Sequence, residues 1–151
     1  MNKEDLIRIE KIGNSNNCKF NYKYDSKIVE VEDIRKKELF KNKNMHVVYN
    51  RIKHIRNPFF VLLVFGSYAN KTDTKHSDID LCLITDSEYV LKEVNSVLRI
   101  TPVNIDFYNF IYEEFISMIK IKKFNVGNEI IKKNLVLYGL EQFYEVMNYS
   151  D

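Results

Sequence analysis

Apolar and polar positions change rhythm several times along the chain, and each change marks an element. Leu6, Ile7, Ile9 and Ile12 lead into Gly13-Asn14-Ser15-Asn16-Asn17, a strong turn signal. Cys18, Phe20, Tyr22 and Tyr24 then alternate with polar residues, the period of a half-buried strand. The two flanks together predict a small hairpin. From Ser26 the period lengthens to that of a helix capped by Ser26, with Ile28, Val31, Ile34 and Leu39 as its apolar stripe. Asn44 is positioned to cap a second helix carrying Val47, Val48, Ile52 and Ile55, which Asn57-Pro58 ends, since a residue before proline avoids the α region.

The run Phe59 to Phe65 has no polar member and predicts a strand buried on both faces. Ile79 to Ile84 predicts a second strand and Val103 to Phe107 a third, opened by Pro102. Between them, Glu88 to Leu98 carries Val90, Leu91, Val94 and Leu98 at helical spacing. The remainder reads as helices near 112–122, 126–136 and 140–148, broken at Gly127 and Gly139. The sum is an α/β (α+β) domain: a short mixed sheet flanked by helices, with an N-terminal hairpin-and-helix extension.

Composition narrows this picture. At 151 residues the chain has the size of one domain, and 45% apolar with 29% charged residues is a globular balance. Seven consecutive apolar residues fall well short of the ~20 that a membrane-spanning helix needs. Met1 to Asp5 lacks the apolar core of a secretion signal, and Cys18 and Cys82 lie far apart, so a reduced, cytoplasmic protein is expected. The net charge of +2 conceals a split: residues 1–60 hold 14 Lys/Arg against 8 Asp/Glu, residues 61–151 hold 9 against 13. His46, His54 and His76 have no partners at zinc-ligand spacing.

One constellation carries chemistry. Gly66-Ser67 follows the buried strand and opens a helix; Asp78-Ile79-Asp80 comes ten residues later, at the next strand; Asp106 sits in the strand after that. Residues two apart on a strand face the same side, roughly 7 Å apart along it. Two carboxylates there repel unless a cation lies between them, and Mg²⁺ favours carboxylates together with substrate phosphates. A third carboxylate from the neighbouring strand suits two-metal chemistry. Gly66 allows close approach to the backbone, and the Ser67 hydroxyl can hold a phosphate.

The phrases Phe65-Gly66-Ser67-Tyr68-Ala69 and Ser77-Asp78-Ile79-Asp80-Leu81, and the tail from Glu129 to Gly139, resemble the DNA polymerase β-type nucleotidyltransferase superfamily. Within it, the chain is similar to the minimal nucleotidyltransferases of archaea and bacteria. Asn70-Lys71 stands where many relatives carry Arg-Gly. The resemblance implies that Gly66 and Ser67 bind the nucleotide. It implies that Asp78, Asp80 and Asp106 are catalytic metal ligands, with Asp106 also a candidate base for the acceptor hydroxyl. It implies ATP as substrate, Mg²⁺ as cofactor in two ions, and transfer of AMP to a partner protein, a toxin of the HEPN class whose antitoxin this chain would be. Two alternatives stand beside it: a non-catalytic module that masks a toxin or regulates DNA, or a nucleotidyltransferase acting on RNA or a small molecule. Residues 44–151 would form the catalytic domain. Residues 1–43 would be an extension similar to the wing and last helix of a winged helix, with a basic patch at Arg35-Lys36-Lys37, Lys41 and Lys43 open to nucleic acid or an acidic partner.

Overall fold

A computed structural model describes residues 6–150. Strands β1 (Ile7–Ile12) and β2 (Ser15–Phe20) pair antiparallel around Gly13-Asn14, as the turn signal predicts. The second strand stops at Phe20 rather than running on to Tyr24. Its last rung is Ile7 with Phe20, followed by one backbone hydrogen bond from the Asn21 N–H to the Leu6 carbonyl at 2.9 Å. Tyr22 and Tyr24 instead set their rings against Tyr144, with centroids 5.5 and 6.3 Å apart.

Helix α1 (Ser26–Leu39) is capped by Asp25, one residue before the expected cap, its Oδ1 accepting from the Ile28 N–H at 3.0 Å. The expected apolar stripe is also corrected. Val31 and Ile34 are 51% and 59% exposed, whereas Ile28 and Glu32 are buried. The inward row runs Ile28, Glu32, Arg35, Leu39, at helical spacing but with an ion pair in its middle. Arg35 Nη1 donates to Glu32 Oε1 and Nη2 to the Asn134 carbonyl, each at 2.5 Å, which ties the helix to the sheet. Helix α2 (Lys43–Ile52) is capped by Asn42, not Asn44; Asn42 Oδ1 accepts from the N–H groups of Asn44 and Met45.

Strand β3 (Val61–Phe65) is buried throughout and starts after Phe60, leaving Phe59 outside it and 71% exposed. There follow α3 (Gly66–Asn70), β4 (Ile79–Ile84), α4 (Glu88–Arg99), β5 (Ile105–Phe110), α5 (Tyr112–Lys120) and α6 (Val126–Lys132). The helix expected over 126–136 ends at Lys132, and Leu135–Tyr138 is a strand, β6. It pairs antiparallel with β3, Val64 opposite Leu135, so tertiary pairing overrides a run too short to declare its own period. Helix α7 (Leu140–Ser150) closes the fold. Gly139, before it, has φ 75°, and a side chain there would overlap the Phe60 carbonyl.

The main sheet has the order β5-β4-β3-β6; β4 and β5 are parallel and the other pairs antiparallel. It is the expected mixed sheet between helices. Leu62, Val64, Leu81 and Leu83 pack on one face with Met45, Val48 and Ile52 of α2 and Val90 and Val94 of α4. Leu63, Cys82, Ile84 and Val136 pack on the other with Ile28, Phe115, Ile130 and Phe143. Among the described residues, no helix is long and apolar enough to cross a membrane.

Candidate active site

The sheet topology brings the singled-out residues to one end. Phe65, the last residue of β3, pairs with Asp80 near the start of β4, and Asp80 pairs with Asp106 near the start of β5. Directly paired residues project from the same face. Asp80 therefore shares a face with Asp106, and with Cys82 and Ile84 further along β4. Asp78 stands just before β4, two residues from Asp80, with the buried Ile79 facing the opposite core between them. Asp78 and Asp106 are exposed and Asp80 is half-buried.

The electrostatics record this convergence. Burial, then the charge of Asp106, then that of Asp78 push the Asp80 carboxyl above its ordinary value. Among the described residues, no three acidic, histidine or cysteine side chains are gathered tightly enough to form a ready-made metal cage. Asp78, Asp80 and Asp106 stand together at one end of the sheet. Their donors are all carboxylate oxygens at one open strand end, and that chemistry fits a hard cation such as Mg²⁺, which keeps positions for water and phosphate.

Gly66 has a second reason to be glycine besides backbone access. Its φ is 64°, and a Cβ there would overlap Asp80 Oδ2 and stand 2.9 Å from the carboxyl carbon. The turn thus leaves room for the middle acid. Ser67 is half-buried in the first turn of α3; its carbonyl takes the Thr72 N–H at 3.0 Å, and no partner for its hydroxyl occurs among the described residues.

Two supporting residues escaped sequence reasoning. Tyr68, within α3, is buried, and its hydroxyl donates to the Ser77 carbonyl at 3.5 Å, tying the Gly-Ser turn to the acidic segment. Tyr108, two residues beyond Asp106, meets Phe65 edge to face at 5.6 Å and is 39% exposed. The contact with Ser77 places Tyr68 here, and the pairing of β5 with β4 places Tyr108. Lys71, which follows the Gly-Ser-Tyr-Ala-Asn turn, sits at φ 58° and faces α1. There it lines a cavity of about 280 Å³ with Arg35, Glu38 and Asn42. Lys41 above all, and Lys71 in smaller part, hold the Glu38 carboxyl below its usual range. A larger, mostly apolar cavity of about 680 Å³ lies at the other end of the sheet, between Phe59, Tyr112 and Tyr149, away from the acids.

The four-stranded mixed sheet flanked by helices is a nucleotidyltransferase fold. The chain belongs to the nucleotidyltransferase domain family, whose model matches residues 56–136, more than half of the 151. That span runs from just before β3 into β6 and contains every candidate site residue. No curated protein matches the chain. Among solved structures, one described as "Crystal structure of the toxin-antitoxin with AMP-PNP" is similar at 14% identity and a TM-score of 0.44, over 67% of this chain and 77% of that one.

Proposed function

We propose that this nucleotidyltransferase transfers AMP from ATP to a hydroxyl of a partner protein, as the antitoxin of a HEPN-type toxin pair. The observation that carries the transfer chemistry is the direct pairing of Asp80 with Asp106, with Asp78 beside them and Gly66 making room. The partner class comes from the resemblance to the minimal branch.

In this reading Gly66 and Ser67 bind the phosphates of ATP. Asp78 and Asp80 hold Mg²⁺, with Asp106 as third ligand. When bound, Mg²⁺ neutralises phosphate charge and favours the leaving pyrophosphate. Asp106 lies at the edge of the sheet, exposed to an incoming acceptor, and takes the proton of its hydroxyl. The acceptor oxygen bonds to the α-phosphorus, the bridge to the β-phosphate breaks, and pyrophosphate departs.

The test is ATP labelled at the α-phosphate, incubated with Mg²⁺ and the HEPN-type partner. A covalently labelled partner is expected, and its loss with Asp78→Asn or Asp80→Asn. Absence of label from the wild-type protein would overturn the reading. Full neutralisation of the toxin by the doubly substituted protein would point to masking instead.

A further inference from the structure

The segment joining α5 to α6 holds an aromatic ring out into solvent, and side-chain amides brace its backbone. Phe124 is 84% exposed. Around it, Asn125 Nδ2 donates to the carbonyls of Met118 and Lys123 at 2.9 and 3.1 Å. Asn128 Nδ2 donates to those of Ile121 and Lys123 at 2.7 and 3.0 Å. Asn125 also caps α6 through the Asn128 N–H at 2.9 Å. Two side-chain amides thus satisfy the carbonyls of the turn that carries the ring.

The ring stands among cations. Lys122 and Lys123 precede it, exposed and without an acidic partner among the described residues. Lys132 Nζ lies 6.0 Å from the ring centroid, held by Glu129 at 2.5 Å. Together they line a concavity of about 550 Å³. A flat aromatic surface ringed by ammonium groups is complementary to a ligand that pairs a planar ring with negative charge.

Its place in the fold adds a second argument. Lys132 is three residues from Leu135, which pairs with Val64; the next residue of β3, Phe65, pairs with Asp80. Ile130 of α6 packs on the same sheet face that carries Asp80 and Asp106. The Phe124 loop therefore lies on the acids' face of the sheet and toward their end, next to β6, at the edge opposite the strand of Asp106.

We propose that this loop is a nucleotide-binding element: a nucleobase stacks on Phe124, and Lys122 and Lys123 contact an adjacent phosphate. The shared chemistry admits two sources, a free nucleoside triphosphate or a nucleotide within a single strand. The inference rests on family membership and the loop's geometry, and it stands whether or not the acceptor is a protein.

The experiment measures binding to the full chain of three probes: ATP, a fluorescent single-stranded ten-nucleotide RNA, and inorganic tripolyphosphate as a base-free control. Phe124→Ala should weaken ATP or RNA by about 5- to 100-fold, in line with one lost stacking contact, while Phe124→Tyr stays within about twofold. Tripolyphosphate should bind both variants as it binds the wild type. A loss confined to ATP makes the loop a clamp on the donor, and a loss confined to RNA makes it a clamp on a strand; either supports the element. Unchanged affinity of Phe124→Ala for both ATP and RNA would overturn it, as would an equal loss for tripolyphosphate. Because the readout is binding, failure of AMP transfer leaves this outcome distinguishable.

Discussion

Gly66 and Asp80 share one space: a side chain on the glycine would overlap the Oδ2 atom of the aspartate. The Gly66→Ala protein therefore meets two penalties. The left-handed backbone alone costs about 1–2 kcal/mol, a drop of roughly 3–8 °C in the thermal midpoint. Displacement of Asp80 should also cut nucleotidyl transfer by at least about 100-fold. Adding Asp80→Ala should restore part of the lost stability and none of the activity. Strict additivity in that double-mutant cycle would disprove the shared space.

Asp80 should make stability depend on pH in a particular direction. Its folded-state pKa is raised above the ordinary carboxyl value of 3.8, by burial first and then by Asp106 and Asp78. The folded protein thus binds the proton more tightly than the unfolded chain. This favourable contribution is complete below pH 3.8 and is lost as pH rises through the folded value. Without metal, Asp80→Asn should flatten that part of the stability profile and raise the midpoint slightly near neutral pH. Saturating Mg²⁺ should stabilise the wild type and leave Asp80→Asn nearly unmoved. Calorimetric scans across pH, with and without Mg²⁺, measure both effects.

Arg35 is the counter-ion of the buried Glu32. Glu32 Oε2 has no hydrogen-bond partner, so the carboxylate depends on the guanidinium that engages its other oxygen. Arg35→Ala should destabilise the fold by about 2–3 kcal/mol, less than a fully buried pair because Arg35 is partly exposed. Replacing both, as Glu32→Leu with Arg35→Met, should come within about 1 kcal/mol of the wild type. Denaturant titration of the three proteins decides it.

The two thiols should differ sharply. Cys82 lies in the sheet core, and burial pushes its thiol up to about 12; Cys18 is exposed on the hairpin. Iodoacetamide at pH 8 should label one site per folded chain, at Cys18, and the second only after unfolding. Mass spectrometry of the native reaction reads this directly, and prompt modification of Cys82 would contradict the buried placement.

Much of this fold was legible where local pattern and tertiary demand coincide. The Phe59–Phe65 run, the Ile79–Ile84 strand and the helix under Val90 and Val94 fall close to where periodicity puts them. The misses share a cause. Leu135-Val136-Leu137-Tyr138 becomes a strand because β3 offers an edge, which no local window contains. The inward face of α1 escapes a hydrophobic count because Glu32 and Arg35 occupy it as a pair. At the site, spacing alone anticipated that Asp78 and Asp80 lie near one another. That Asp106 pairs directly with Asp80, and that Gly66 yields its space to Asp80, depend on register. The Phe124 loop had no signal beyond a phenylalanine among lysines, since its support comes from the amides of the cap and first turn of the following helix.

The pairing of β3 with β6 also sets an order of events during synthesis. Leu63 lies opposite Cys82 on one side and Val136 on the other. The β4 side can zip as soon as that hairpin-like segment leaves the ribosome, but the β6 side stays bare until α4, β5, α5, α6 and β6 itself have followed. For that interval the most apolar strand of the chain presents an open edge, the condition under which nascent proteins recruit chaperones or one another. The same pairing anchors the segment that carries Lys132 and, beneath it, Phe124. The acidic end of the sheet therefore exists before its flanking loop does, and a growing chain has its carboxylates in place before it has the surface proposed to grip a nucleotide.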